Sequence, residues 1–233
     1  MSNTEQNAAR EGAGTLKPGL LLALMAFLGV GLLAGVHELT RDRIAAQEAA
    51  ALRARLGEVL DPGLHDNDLS KSVLTLTAPG HLGHEEPVRV FLARRSGAPT
   101  AVVVETIAPD GYNGTIELLV GVDLAGVVTG VRVVNHRETP GLGDPIEARR
   151  SDWIEGFRGR TLGDPPATRW TVRKDGGEFD QFTGATITPR AVTRAIARTL
   201  ALVDAEGASW FDDEREGTPA ATRNERPGSE LSP

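Results

Sequence analysis

The residues of this chain best suited to chemistry are the run Asp180-Gln181-Phe182-Thr183-Gly184-Ala185-Thr186, followed by Ile187-Thr188-Pro189. The run sets a hydroxyl, Thr186, behind two small residues at the entrance of a segment with helical spacing. Thr188 is a favourable N-cap, since its side-chain oxygen can accept from a free backbone N–H of the first turn. Pro189 suits the first helical position, where its missing N–H costs nothing. Val192, Ile196, Leu200 and Val203 then recur at helical spacing and give one apolar stripe. A helix start carries free N–H groups and partial positive charge, which favour a phosphate. Thr186 therefore stands where a phosphorylated ligand could be held, although the same run alone also reads as a strand-to-helix turn with ordinary capping.

A second run, Asn135-His136-Arg137-Glu138-Thr139-Pro140-Gly141-Leu142-Gly143-Asp144, accompanies the first. The pattern Asp-x-x-Ser/Thr-Gly-Ala-Thr, complete here in Asp180, Thr183, Gly184, Ala185 and Thr186, resembles the flavinylation motif of the FMN-binding domain family. In that family the last Thr is esterified to the phosphate of FMN. The second run resembles the family's Glu-Thr-Pro-Gly-Leu-Gly segment, specifically that of the G subunits of Rnf (Rsx) ion-translocating electron-transport complexes. Further matches are Gly111-Tyr112-Asn113-Gly114, Ser151-Asp152-Trp153 and Lys174-Asp175-Gly176-Gly177. The resemblance covers the N-terminal apolar segment and the chain to about residue 205. The C subunit of the sodium-translocating NADH:quinone reductase shares the flavin motif, but the match from Asn135 to Arg190 is closer to the Rnf protein.

The resemblance implies FMN carried covalently as a phosphoester on Thr186, with Gly184 and Ala185 keeping that hydroxyl uncrowded. A separate flavin transferase would load it from FAD. It implies cofactor-binding roles for Asp180, Thr183, Gly184, Ala185, Glu138, Thr139, Gly141, Leu142 and Gly143. Pro140-Gly141-Leu142-Gly143 would let backbone approach the flat ring, Leu142 lying on it and Thr139 or Glu138 bonding its polar edge. The same residues also read as a plain strand-to-helix turn capped by Asp144. Asp180 would serve recognition by the transferase or polarise the site; its plainer reading is a solvated loop carboxylate. The implied role is an electron relay in a six-subunit membrane complex that couples electron transfer between ferredoxin and NAD to ion translocation. No catalytic residue and no substrate site of its own is evident. Alternative readings are a C-type quinone reductase subunit, a stand-alone membrane-anchored flavoprotein reductase outside the cytoplasm, and a non-redox membrane module.

Composition bounds these readings. The chain of 233 residues has no cysteine, which excludes disulfides and Cys-ligated iron–sulfur clusters. A net charge of −7 argues against a nucleic-acid partner. His81 and His84, alone in a Gly/Glu-rich loop, do not make a metal site, and His136 reads as a structural or surface residue rather than as a proton carrier. Gly141-Leu142-Gly143 lacks the third glycine of a dinucleotide fingerprint.

The elements that must position these residues follow from pattern. Residues 19–36 carry no charge and are just long enough to cross a bilayer core as a helix. A cleaved signal peptide is the competing reading, but its apolar core is usually shorter and no clean cleavage site follows. The resemblance implies that residues 1–18 are cytoplasmic. Gly31 and Gly35 would allow close approach of another helix. Arg10 and Lys17 precede the span, against Arg41, Arg43, Arg53 and Arg55 after it, so the positive-inside rule puts the large domain in the cytoplasm. The resemblance implies the opposite: a bacterial inner-membrane protein with its flavin domain on the periplasmic side.

Residues 37–62 read as a helical stalk and residues 63–205 as the FMN-binding domain. Strands are expected at Ser72–Thr77, Val88–Arg94, Thr100–Ile107, Thr115–Val122, Val127–Val134 and Thr168–Arg173. Asn113-Gly114 and the segment from Asp123 to Gly126 supply hairpin turns, and Asp144-Pro145-Ile146-Glu147 opens a short helix. The expected fold class is α+β: an antiparallel sheet meander with packed helices, preceded by one N-terminal transmembrane helix. Residues 206–233, with seven acidic and three basic side chains, are expected to be a disordered acidic tail.

Overall fold

In the computed structural model, which describes residues 3–215, the chain divides into a unit ending at Ala51 and a second unit beginning at Leu52. The first unit is helical and belongs to α1 (Asn3–Val59). Its segment Gly19–Arg41 is long and apolar enough to span a membrane, and none of it is buried. At 1.5 Å per residue those 23 residues reach about 35 Å, against about 30 Å of hydrocarbon. Leu20, Phe27 and Leu33 stand at 75%, 77% and 72% exposure, the state expected of side chains made to face lipid.

The second unit is built on a five-stranded antiparallel meander, β1 (Val73–Leu76), β2 (Val88–Arg95), β3 (Ala98–Gly111), β4 (Gly114–Asp123) and β5 (Val128–Asn135), in sequential order. A short α2 (Pro79–Leu82) lies between β1 and β2; α3 (Ile187–Glu206) and α4 (Trp210–Arg215) close the unit. Strand alternation feeds two cores. Val90, Leu92, Val102, Val104, Leu118 and Val120 meet Val192, Ile196 and Leu200 of α3 on one face. Phe91, Ala93, Ala101, Val103 and Leu119 meet Leu56, Val59 and Leu60 on the other. A sheet buried on both faces explains why residues 101–104 of β3 and 118–120 of β4 are unbroken apolar stretches.

Several expectations are corrected. Leu56, Val59 and Leu60 are at most 1% exposed, so the folded unit takes in the end of the expected stalk rather than starting at 63. It also passes residue 205: Trp210 and Phe211 of α4 are buried in the main core, so the expected tail is ordered this far, while its remainder from residue 216 lies outside the described residues. The β3–β4 turn is centred on Tyr112-Asn113, and Gly114, at φ 112°, is the first residue of β4. No strand forms at Thr168–Arg173. Single 3-10 turns at Ala167–Arg169 and Arg173–Asp175 flank Trp170, whose indole N–H donates to the carbonyls of Thr161 and Pro165, both at 3.1 Å. The alternation there served an aromatic cluster: Phe157 stacks on Phe179 at 4.5 Å and Trp170 lies 4.9 Å from Phe179. The short helix at Asp144 is one 3-10 turn, Asp144–Ile146, preceded by Gly143 as cap.

Candidate functional site

The start of α3 differs from its expected form. Thr186 is the cap residue and its side chain makes no capping bond. Ile187 and Thr188 are the first two helical residues and Pro189 the third, still within the turn whose N–H groups have no partner inside the helix. Pro189 has no N–H, and Arg190 N–H donates to the Thr186 carbonyl at 3.3 Å. The N–H groups of Ile187 and Thr188 and the hydroxyl of Thr186 therefore share one helix end. Upstream, the Ala185 N–H closes a turn on the Phe182 carbonyl at 3.1 Å, and Gly184 takes φ 81°, a conformation that glycine adopts without strain.

The Thr188 hydroxyl caps nothing; it is 1% exposed and donates to Oε2 of Glu138. Glu138 is itself 5% exposed, and its Oε1 accepts from Asn113 N–H at 3.1 Å. Asn113 Nδ2 donates to the Thr139 hydroxyl at 3.0 Å. One buried carboxylate thus ties the β3–β4 turn, the 138–143 loop and the start of α3 together. Gly143 lies so close that a Cβ would sit 2.8 Å from Glu138 Oε2 and 2.9 Å from Thr188 Oγ1. The loop turns on the Thr139 carbonyl, which accepts from Leu142 and Gly143 N–H at 3.1 and 3.0 Å. Asp144, expected to cap a helix, instead accepts from Gly141 N–H at 2.6 Å and lies 3.4 Å from Arg150.

His136 is the next support outward. Its Nδ1 accepts from Glu138 N–H at 3.1 Å, which leaves Nε2 to donate to Glu147 at 2.8 Å. The Arg149 guanidinium, and after it His136, hold the Glu147 carboxyl below its usual range.

These three segments wall a cavity of about 380 Å³, within the size range of small-molecule sites. Glu138, Thr139, Leu142 and Gly143 line one side and Gly184, Ala185 and Thr186 another. Tyr112, Ile187 and Thr188 complete it. Of the residues singled out from sequence, Gly141 sits in the same loop without lining the cavity. Asp180 and Thr183 are exposed and outside it, Asp180 pairing with Arg173 at 2.9 Å. The Asp180 carbonyl accepts from the Trp153 indole N–H at 2.8 Å, and Trp153 lies 5.2 Å edge-on to Phe182, so Trp153 fixes the run that ends in Thr186. Sequence reading missed the site roles of Tyr112, Ile187 and Thr188. For Tyr112 the available signal was an aromatic side chain at the tip of the turn between Gly111 and Gly114.

The donor set fits a phosphorylated, flat ligand. A hydroxyl and a helix start offer a seat for a phosphate, Leu142, Ile187 and Tyr112 offer apolar surface, and Thr139 adds a second hydroxyl-bearing residue to the lining. No lysine or arginine is among the residues lining the cavity, so charge there would be met by the helix end.

The FMN-binding domain family matches residues 111–201, a span holding every residue of the cavity, and the RnfG N-terminal region matches residues 13–59. The G subunit of the ion-translocating oxidoreductase complex of Shewanella amazonensis is 49% identical over 197 residues, covering 84% of this chain and 92% of that protein. The chain belongs to this G-subunit family. The corresponding protein of Pseudomonas aeruginosa is 50% identical over 82% of this chain and 89% of its own length. That of Photorhabdus laumondii is 51% identical over 78% and 86%. Membership of the G-subunit family thus accounts for both units, the N-terminal helix and the domain carrying the cavity.

Proposed function

We propose that this chain is the electron-relay member of an Rnf-type, six-subunit membrane complex that couples electron transfer between ferredoxin and NAD to ion translocation. The relatives' shared designation as G subunits of an ion-translocating oxidoreductase complex supports the complex, and the FMN-binding domain match supports the cofactor. The observation that carries the site is the Thr186 hydroxyl, at the start of α3 on the cavity wall and used for no helix cap.

In this reading Thr186 Oγ forms a bond to the FMN phosphorus of FAD, AMP leaves, and the hydroxyl proton passes to solvent, under a flavin transferase. The Ile187 and Thr188 N–H groups would hold the phosphate, and Leu142 and Thr139 would hold the ring. FMN when bound accepts and passes on one or two electrons. Residues 19–41 anchor the chain in the inner membrane, with the domain from Leu52 on the periplasmic side. Asp180, exposed beside Arg173, is a recognition point for the transferase.

The test is intact mass and denatured in-gel flavin fluorescence of the full chain and of Thr186→Ala, each made with an exported flavin transferase. Added mass equal to FMN less one water, with fluorescence surviving denaturation and both lost in Thr186→Ala, is the expected result. An unmodified wild-type chain would overturn the covalent reading, and modification requiring a cytoplasmic transferase would overturn the orientation.

A further inference from the structure

Among the described residues beyond α1, the large hydrophobic side chains left exposed are Tyr112 (65%), Leu124 (53%), Leu142 (46%) and Ile187 (43%). Singly exposed apolar residues need no explanation, but a cluster does. Tyr112, Leu142 and Ile187 all line the one cavity that holds Thr186, although they come from three separate elements: the β3–β4 turn, the 138–143 loop and the first turn of α3. The turn carrying Tyr112 is pinned, since its neighbour Asn113 is bonded through both backbone and side chain to Glu138 and Thr139. Glu138 in turn is bonded to Thr188, one residue beyond Ile187. The three apolar groups are therefore held in fixed relation by a buried polar tie while their own surfaces stay open.

We infer that Tyr112, with Leu142 and Ile187, forms an apolar clamp for the isoalloxazine ring, with the Tyr112 phenol ring packed against the flavin. This rests on the proposed FMN reading and adds to it a contact residue outside both the flavinylation motif and the Glu-Thr-Pro-Gly-Leu-Gly segment. Aromatic pairs at packing distance gain stabilisation beyond area burial, so an exposed tyrosine becomes favourable once a flat ring covers it. A phenol held against a flavin also quenches its emission, by lending an electron to the excited ring and taking it back. Phenylalanine, which is harder to oxidise, does not, whereas tryptophan does.

The experiment compares the full chain, loaded by a flavin transferase, with Tyr112→Phe and Tyr112→Trp. Intact mass first establishes equal flavin attachment; emission of the folded protein is then divided by emission after denaturation. Native emission is expected to rise several-fold in Tyr112→Phe and to return to the wild-type level in Tyr112→Trp. Equal native emission in all three, with flavin attached, would overturn the clamp while leaving the FMN reading intact. A wild-type chain without attached flavin would instead overturn the covalent reading on which the clamp depends.

Discussion

Two threonines, two residues apart, have opposite duties. Thr186 is half-buried and its hydroxyl serves no cap, whereas Thr188 is buried and its hydroxyl holds a carboxylate. Stability and cofactor attachment should therefore separate at this pair. Thr186→Ala is expected to lie within about 0.5 kcal/mol of wild type, as for changes away from any bonded feature, while losing all flavin. Thr188→Val keeps the shape but removes a partner of the buried Glu138, and is expected to cost about 1–3 kcal/mol. Urea midpoints of both variants check this. Equal midpoints would mean that the Glu138–Thr188 bond contributes nothing to the fold.

Among the elements, the join between α1 and the sheet sets where the domain begins. The Val59 carbonyl at the end of α1 accepts from the Thr129 hydroxyl at 2.6 Å. Gly121 on β4 and Gly130 on β5 make room for it: a Cβ on Gly121 would lie 2.6 Å from the Val59 carbonyl oxygen, and one on Gly130 would lie 2.8 Å from Val59 Cα. Gly130→Ala must push the helix end off the sheet, and a loss of about 1–3 kcal/mol is expected, as for overpacking. Gly57, in the same stretch of α1, has nothing within 4 Å of its Cβ position. Gly57→Ala is expected to raise stability by about 0.5–1 kcal/mol through helix propensity alone. Urea denaturation of the pair gives opposite signs if the close approach is real, and the same sign if it is not.

Across the whole molecule, carboxylates held by cations or hydroxyls make the domain sensitive to acid. The Ser70 hydroxyl lowers the Asp68 carboxyl, the Arg149 guanidinium lowers Glu147, and the Arg190 guanidinium lowers Asp175. Each titrates lower folded than unfolded, so its contribution is complete above the unfolded value and disappears as pH falls through the folded one. Melting temperature is expected to be flat from neutral pH to about 5 and to fall below about pH 4, where unfolded carboxyls begin to take up protons. Asp175→Asn should flatten that slope and lower the neutral-pH value. A melting temperature that holds steady from pH 5 to about 3 would show that these pairs carry no linkage.

Composition and linear pattern determined much of this protein. An uncharged run long enough for a bilayer, strand alternation broken by Gly-bearing turns, and an apolar stripe from Val192 to Val203 are local signals, because each follows from the period of one element. The five strands that exist were legible for that reason, and so was the Thr186 run, whose residues are contiguous. Tertiary structure decided the rest. Thr188 reads as a helix cap until a carboxylate fifty residues earlier in the chain takes its hydroxyl. Thr168–Arg173 alternates like a strand until Trp170 finds carbonyls and aromatic rings rather than a neighbouring strand. The domain limits moved outward because Leu56 and Trp210 bury against residues far away in sequence. Tyr112 gains meaning only once three loops converge on one cavity. Contiguous motifs and periodic faces are written along the chain; which hydroxyl is occupied and which ring is left open depends on neighbours that only folding supplies.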